Sequence, residues 1–213
     1  MKIQISFDGL DNDRNVYIAQ QVGQYADIIE IGSLPIFKYG IECIKDFRNA
    51  LPKQDLFADT KIVDRGRDVT SLFSQAGADW VSVMAGTHSQ IIHGVCSKAH
   101  DLGKKVYLDL LDAKAPGQIV VEAKSLGVDA ILFHQPHEKA HAISVSFAEQ
   151  WEMVKGNTDL PIIISSSVTR ETIDFMLTLN PDGLIISSAI TESNDPIIEA
   201  RFFYEKCKGS IRD

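Results

Sequence analysis

The chain has 213 residues, 45% hydrophobic and 23% charged, with 14 glycines and 7 prolines, the composition of a globular protein rather than a disordered one. Its 21 basic and 29 acidic residues give a net charge of -8 and a pI near 5.2, which disfavours a nucleic-acid backbone as partner. No apolar run approaches the roughly 18 residues of a membrane span. Asp8 arrives too early for a signal peptide to be expected. Cys43, Cys96 and Cys207 stand far apart, with no Cys-x-x-Cys pair. That pattern fits reduced thiols in a cytoplasmic protein better than a disulfide frame or a zinc site.

Short runs rich in β-branched residues recur along the chain: Lys2–Asp8, Asp27–Gly32, Asp55–Lys61, Trp80–Gly86, Lys105–Leu111, Ala130–Gln135, Pro161–Ser167 and Gly183–Ser188. Longer segments of helical pattern separate them. In Ala115–Leu126, for example, Ile119, Val120, Ala123 and Leu126 fall three or four apart. Strands alternating with helices imply parallel pairing through right-handed crossovers. No linker or low-complexity stretch divides the chain, so residues 1–213 are expected to form one domain.

A weak repeat selects the architecture. Asp27, Asp79, Asp129 and Asp182 each precede an even-numbered strand and lie 52, 50 and 53 residues apart, about two βα units each time. A doubly wound open sheet could hold eight strands but would not require so even a period. A (β/α)8 barrel is the better reading.

In such a barrel the chemistry sits at the C-terminal strand ends. Here these read Asp8, Glu30, Asp59 with Lys61, Thr87, Asp109, His134, Ser165 to Ser167, and Ser187 with Ser188. Carboxylates converging on one mouth would repel each other, so a divalent metal, a lysine or both is expected among them.

Asp59-Thr60-Lys61-Ile62-Val63-Asp64 is the most telling segment. Strand alternation places Asp59 and Lys61 on one face, pointing into the mouth. The bland alternative is a strand-end salt bridge with Asp64 as a helix N-cap. Company from Asp8, Glu30 and Asp109 favours a functional site. A lone strand-end histidine is usually structural, but the active face of a barrel reverses that preference for His134. His137 and His141 read as loop or helix-surface residues, and His88, His93 and His100 as solvent-facing. Trp80 and Trp151 read as core.

Taken in order, Ser6-Phe7-Asp8, Ile28-Ile29-Glu30-Ile31-Gly32, Ala58-Asp59-Thr60-Lys61-Ile62-Val63-Asp64, Ala76-Gly77-Ala78-Asp79-Trp80-Val81, Asp109, His134 and Ser188-Ala189-Ile190-Thr191 resemble the orotidine 5′-monophosphate decarboxylase suprafamily. The closer similarity is to its branch of 3-hexulose-6-phosphate synthase and 3-keto-L-gulonate-6-phosphate decarboxylase. The resemblance implies Mg2+ on Glu30 and Asp59, and Lys61 and Asp64 flanking the reacting carbons. It further implies that Asp64 reaches into a partner's site across a homodimer interface, and that His134 is general acid or base. Asp8 and Asp109 complete the implied catalytic set. The shared intermediate of the branch is an enediolate on a phosphorylated sugar, whose oxyanions call for a metal and a lysine.

Asp109 and Ser188, where the decarboxylases carry glutamate and arginine, resemble the synthases, His137 matches neither, and the hydroxyl of Ser165 resembles the decarboxylases. The synthase is the reading favoured. The decarboxylase and a non-catalytic sugar-phosphate-binding barrel remain alternatives, and orotidylate decarboxylase itself fits less well. Where the branch carries glycines against the phosphate, this chain has Ser166, Ser167 and Ser187, and Pro136 and Glu138 alter the sixth loop. Ser165, Ser166, Ser167, Ser187 and Ser188 are the expected substrate and phosphate contacts. Glycine permits close backbone approach and positive φ that serine restricts, so these loops are where the substrate could differ.

Overall fold

All eight apolar runs form strands: β1 (Lys2–Phe7), β2 (Ile28–Ile31), β3 (Asp55–Ile62), β4 (Trp80–Met84), β5 (Lys105–Asp109), β6 (Ala130–His134), β7 (Ile162–Ser165) and β8 (Gly183–Ile186). They pair in parallel and in chain order, and β8 closes onto β1, where Lys2 lies opposite Gly183. The barrel is therefore closed and has no free edge to protect. This computed structural model describes residues 1–136 and 145–209, so His137, Glu138 and His141 lie outside the described residues.

Around the strands run α1 (Asn12–Val22), α2 (Ser33–Tyr39), α3 (Ile41–Ala50), α4 (Gly66–Ala76), α5 (Ser89–Asp101), α6 (Pro116–Ala123), α7 (Val145–Lys155), α8 (Ile173–Thr178), α9 (Ser188–Thr191) and α10 (Pro196–Lys208). The helix expected over Ala115–Leu126 is shorter than its apolar spacing suggests: α6 starts on Pro116 and stops at Ala123. Local chemistry sets the ends of other helices. The Asp195 carboxylate accepts the Ile197 and Ile198 N–H groups at the start of α10, with Pro196 at the first helical position. Gly77, at φ 118°, ends α4 in the left-handed conformation that favours glycine.

The aspartate repeat has a physical cause. The carboxylates of Asp27, Asp79, Asp129 and Asp182 accept the N–H of Ile3, Leu56, Val106 and Ile162, at 2.7, 3.0, 2.8 and 2.8 Å respectively. Each aspartate also donates its own N–H to the carbonyl of that same residue. A two-point clamp thus ties the start of every odd strand to the turn before the next, satisfying backbone groups at the bottom of the barrel. Arg48 and Lys104 pair with Asp79, Lys208 with Asp27, and His100 with Asp129.

Strand alternation sorts the core into two parts. Outward-facing residues such as Ile3, Ile5 and Phe7 pack under the helices, with Trp151 among them. Inward-facing Ile28, Phe57, Trp80, Tyr107, Ala130, Leu132, Ile163 and Ile185 fill the barrel itself. Trp80 stacks on Tyr107 at 4.6 Å, and Phe57 meets Tyr107 edge-on at 4.9 Å. This layer is the floor of the mouth. Two residues further along seven of these strands, the next inward positions are Glu30, Asp59, Ser82, Asp109, His134, Ser165 and Ser187. A polar ring follows directly from the period of two.

Candidate active site

Within the ring, Glu30, Asp59 and Asp109 are buried, whereas Asp8, Lys61 and His134 are half-buried. Lys61 Nζ lies 2.9 Å from Asp59 Oδ2 and 3.0 Å from Asp109 Oδ2. His134 Nδ1 lies 3.0 Å from the same Asp109 oxygen, and the Leu111 N–H donates to Asp109 Oδ1 at 2.9 Å. Asp59, Lys61, Asp109 and His134 therefore form one continuous chain across β3, β5 and β6.

Simple alternation is not how Asp59 and Lys61 meet. The β3–β4 register slips between Ala58 and Ile62, and Lys61 has a left-handed φ of 44°. Two hydroxyls replace the missing ladder. Thr60 Oγ1 donates to the Ser82 carbonyl at 2.9 Å and accepts the Ser82 N–H at 3.2 Å. Ser82 Oγ accepts the Lys61 N–H and donates to Asp59 Oδ1, both at 2.9 Å.

The charges are strongly coupled. For Lys61, burial works against the ammonium, but Asp59 and Asp109 outweigh it and hold the group above the usual lysine range. Burial also opposes ionisation of Asp109, but the His134 hydrogen bond, the Lys61 charge and the Leu111 N–H hold it below the usual carboxylate range. An ionised Asp109 can only accept, so in neutral His134 the proton is assigned to Nδ1 and the lone pair to Nε2. Burial raises Asp59, with Asp109 adding to the effect and Lys61 opposing it. Glu30 is pushed up to about 8 by burial first, then by Asp59 and Asp8.

Behind Glu30, Gln4 Nε2 donates to its Oε2, and the Tyr107 hydroxyl donates to Gln4 Oε1 at 3.2 Å. Asp8 Oδ2 accepts from Ser6 at 3.1 Å and from Ser187 at 3.3 Å. Glu30 and Asp59 form a two-carboxylate donor set. Among the described residues no group of three or more His, Cys, Asp or Glu side chains completes a metal shell. Oxygen donors of this kind are the type a hard divalent ion takes, and the Asp59 charge is among the causes that raise Glu30.

The other expected site residues lie on the same face. Ser165 ends β7, the Ser166 hydroxyl donates to Gln135 Oε1 at 2.6 Å, and the Ser167 carbonyl accepts from the Thr172 hydroxyl at 2.7 Å. Ser188 opens α9 and is exposed. Among the described residues Lys61, Arg65 and Asn180 are the non-glycine residues at positive φ, and Ser187 has φ −116°. The serine loops therefore hold no residue in the positive-φ region that favours glycine.

One alternative falls away and one expectation is corrected. The alternative role of Asp64 as cap of α4 falls away: Arg65, at φ 50°, is the capping residue, and the exposed Asp64 carboxylate accepts the Arg65 N–H at 2.7 Å. Thr87 is not the polar contribution of the fourth strand, since its hydroxyl donates to the Val63 carbonyl at 2.9 Å. Ser82 takes that place. Sequence reasoning gave no role to Ser82, Gln4, Ser6 or Gln135. For Ser82, the signal was its position two residues after Trp80.

Burial of Glu30 gives a stability prediction for the metal-free protein. Its folded pKa of about 8 lies above the ordinary 4.5, so its contribution is full below about pH 4.5 and is lost as pH rises through about 8. Glu30→Gln removes this loss. Its Tm relative to wild type should therefore rise between about pH 5 and pH 8. A Tm difference independent of pH would contradict the assignment.

Residues 1–203 match the family described as orotidine 5'-phosphate decarboxylase / HUMPS. The 3-hexulose-6-phosphate synthase of Bacillus subtilis (strain 168) is 27% identical over 195 residues, covering 92% of this chain and 93% of that protein. That of Methylomonas aminofaciens is 27% identical over 197 residues, covering 92% and 94%. Among solved structures, 3-hexulose-6-phosphate synthase from Salmonella typhimurium superposes with a TM-score of 0.90 at 28% identity, covering 97% of this chain and 98% of that one. The 3-keto-L-gulonate-6-phosphate decarboxylase of Vibrio cholerae has the same fold, with a TM-score of 0.83 at 20% identity and 99% of both chains covered. The chain belongs to the orotidine 5'-phosphate decarboxylase / HUMPS family, close to its hexulose-phosphate synthase and keto-gulonate-phosphate decarboxylase branch.

Proposed function

We propose that the protein is an aldehyde-lyase of the 3-hexulose-6-phosphate synthase type, joining formaldehyde to ribulose 5-phosphate or a related sugar phosphate. Family membership and near full-length similarity to such synthases support lyase chemistry on a sugar phosphate. The observation that carries the reading is the Asp59–Lys61–Asp109–His134 chain, which fixes a cation and a base side by side.

Glu30 and Asp59 would hold Mg2+, which when bound supplies Lewis-acid stabilisation of the enediolate oxygens. His134 Nε2, oriented by Asp109 through Nδ1, takes a proton from C1 of the ketose phosphate. The Lys61 ammonium faces the oxyanion that develops. C1 then attacks the formaldehyde carbon, and the proton on His134 Nε2 passes to the new alkoxide oxygen. Asp8, held by Ser6 and Ser187, would accept from a sugar hydroxyl. Ser165, Ser166, Ser167, Ser187 and Ser188 would surround the phosphate.

A carboxy-lyase of the 3-keto-L-gulonate-6-phosphate type is the second reading, favoured by the Ser165 hydroxyl at the end of β7. A non-catalytic sugar-phosphate-binding barrel is disfavoured. Buried carboxylates bridged by a lysine bring little stability over apolar packing, and the fold does not require them.

A homodimer with shared sites is part of the proposal. Leu10, Leu34, Phe37 and Val63, all on the first three βα connections, are 52%, 51%, 76% and 58% exposed, and Asp64 stands beside Val63. Such apolar side chains suit a subunit contact.

Ribulose 5-phosphate plus formaldehyde should be consumed with Mg2+ or Mn2+, and chelation should abolish the activity. Full turnover by metal-free protein contradicts the metal assignment, and turnover of 3-keto-gulonate 6-phosphate alone selects the carboxy-lyase. The absence of either activity would leave the binding barrel. For the dimer, mixing inactive Lys61→Ala and Asp64→Asn proteins should recover activity, because one site of each heterodimer regains both residues. No recovery after confirmed subunit exchange contradicts a shared site.

A further inference from the structure

Ser82 lies fully buried at the place where the β3–β4 ladder fails. The slip from Ala58 to Ile62 takes Thr60 and Lys61 out of register and brings Lys61 into the left-handed region at φ 44°. A non-glycine residue holds that conformation only when its surroundings over-determine it. Here the Ser82 hydroxyl does so by using both of its hydrogen-bonding roles. As acceptor it takes the Lys61 N–H at 2.9 Å, and as donor it occupies Asp59 Oδ1 at 2.9 Å. The Lys61 ammonium meets the same carboxylate, 2.9 Å from Oδ2 and 3.2 Å from Oδ1. Thr60 locks Ser82 in turn, with its hydroxyl bonded to both the carbonyl and the N–H of Ser82.

We propose that Ser82 is a positioning residue of this site: its single hydroxyl, bridging the Lys61 amide and the Asp59 carboxylate, sets the two functional side chains against each other. It does not reach the reacting carbons. Without it, the bulge loses its anchor, the Lys61 N–H loses its acceptor, and the Asp59 carboxylate is free to rotate. A displacement of about 1 Å at groups that stabilise a developing charge can lower turnover by about 100-fold. The effect on turnover rests on the lyase reading above, whereas the effect on Lys61 does not.

The full chain carrying Ser82→Ala, Ser82→Thr or Thr60→Val tests this. Acetylation of Lys61 by acetic anhydride, read by peptide mass spectrometry against the exposed Lys114, needs neither sugar nor metal. Ser82→Ala should raise relative Lys61 labelling by about 3-fold or more, because a Lys61 released from Asp59 more often presents the free amine that attacks the anhydride. It should lower kcat by about 10- to 100-fold while KM stays within about 3-fold. Ser82→Thr, which keeps the hydroxyl, should return both quantities to within about 3-fold of wild type. A Ser82→Ala protein with lowered Tm but wild-type labelling and kcat would overturn the proposal. If Ser82→Ala fails to fold, Thr60→Val, which releases the main chain of Ser82, should give the same two shifts, and unchanged labelling there overturns it equally. A wild-type protein that turns over no sugar phosphate contradicts the lyase reading and leaves Lys61 labelling to decide the role of Ser82.

Discussion

A lysine ammonium held between two buried carboxylates is the constraint around which the mouth of this barrel is arranged. Lys61 leans on Asp59 from its own strand and on Asp109 two strands away, and Asp109 carries His134. Removing one partner of such a buried pair costs about 3–5 kcal/mol, because a charge is left uncompensated, whereas an apolar replacement of the whole set is often neutral or stabilising. Stability therefore does not explain its presence. What it provides is a cation and an imidazole, fixed before substrate arrives, with reorganisation already complete.

The rest of the fold serves this arrangement by separating its tasks along each strand. At the bottom, four aspartates clamp the strand starts. In the middle, Trp80, Tyr107, Phe57 and their aliphatic neighbours close the barrel. One inward position higher, the polar ring begins. The floor and the ring are linked as well as stacked, because the Tyr107 hydroxyl reaches up to Gln4, which in turn bonds Glu30. Stability and chemistry thus occupy opposite ends of the same strands, as the barrel architecture favours.

Much of this was legible in the residues. The even spacing of Asp27, Asp79, Asp129 and Asp182 reports a backbone clamp repeated every two βα units, so it carried the fold as well as any hydrophobic pattern could. Glu30, Asp59, Lys61, Asp109 and His134 stood out because ionisable groups at the ends of apolar runs have no ordinary packing role. Ser82 did not stand out. A serine inside Trp80–Met84 reads as a small core residue, and its importance comes from a register slip in the neighbouring strand. The slip inserts two residues, four steps from Ala58 to Ile62 facing two from Val81 to Val83, so the inward-outward phase is the same on either side and a period-two reading misses it. Arg65, as the left-handed residue before α4, was hidden for a related reason: Asp64 is the better capping residue by type, and the backbone conformation decides otherwise. The serine loops after β7 and β8 taught the reverse. Their sequence suggested a backbone in need of glycine's positive φ, yet none of these serines has one.

Lys61 is held as an ammonium between Asp59 and Asp109, which raise it above the usual lysine range. An alkaline titration of the 15Nζ-lysine-labelled protein, following the side-chain ammonium resonances, reads this charge. Because both carboxylates hold Lys61 above the usual lysine range, it should remain protonated after the exposed lysines have lost their protons. Substituting Asp109 by Asn should bring its titration back toward theirs. A Lys61 that loses its proton together with the surface lysines, or before them, would contradict the account.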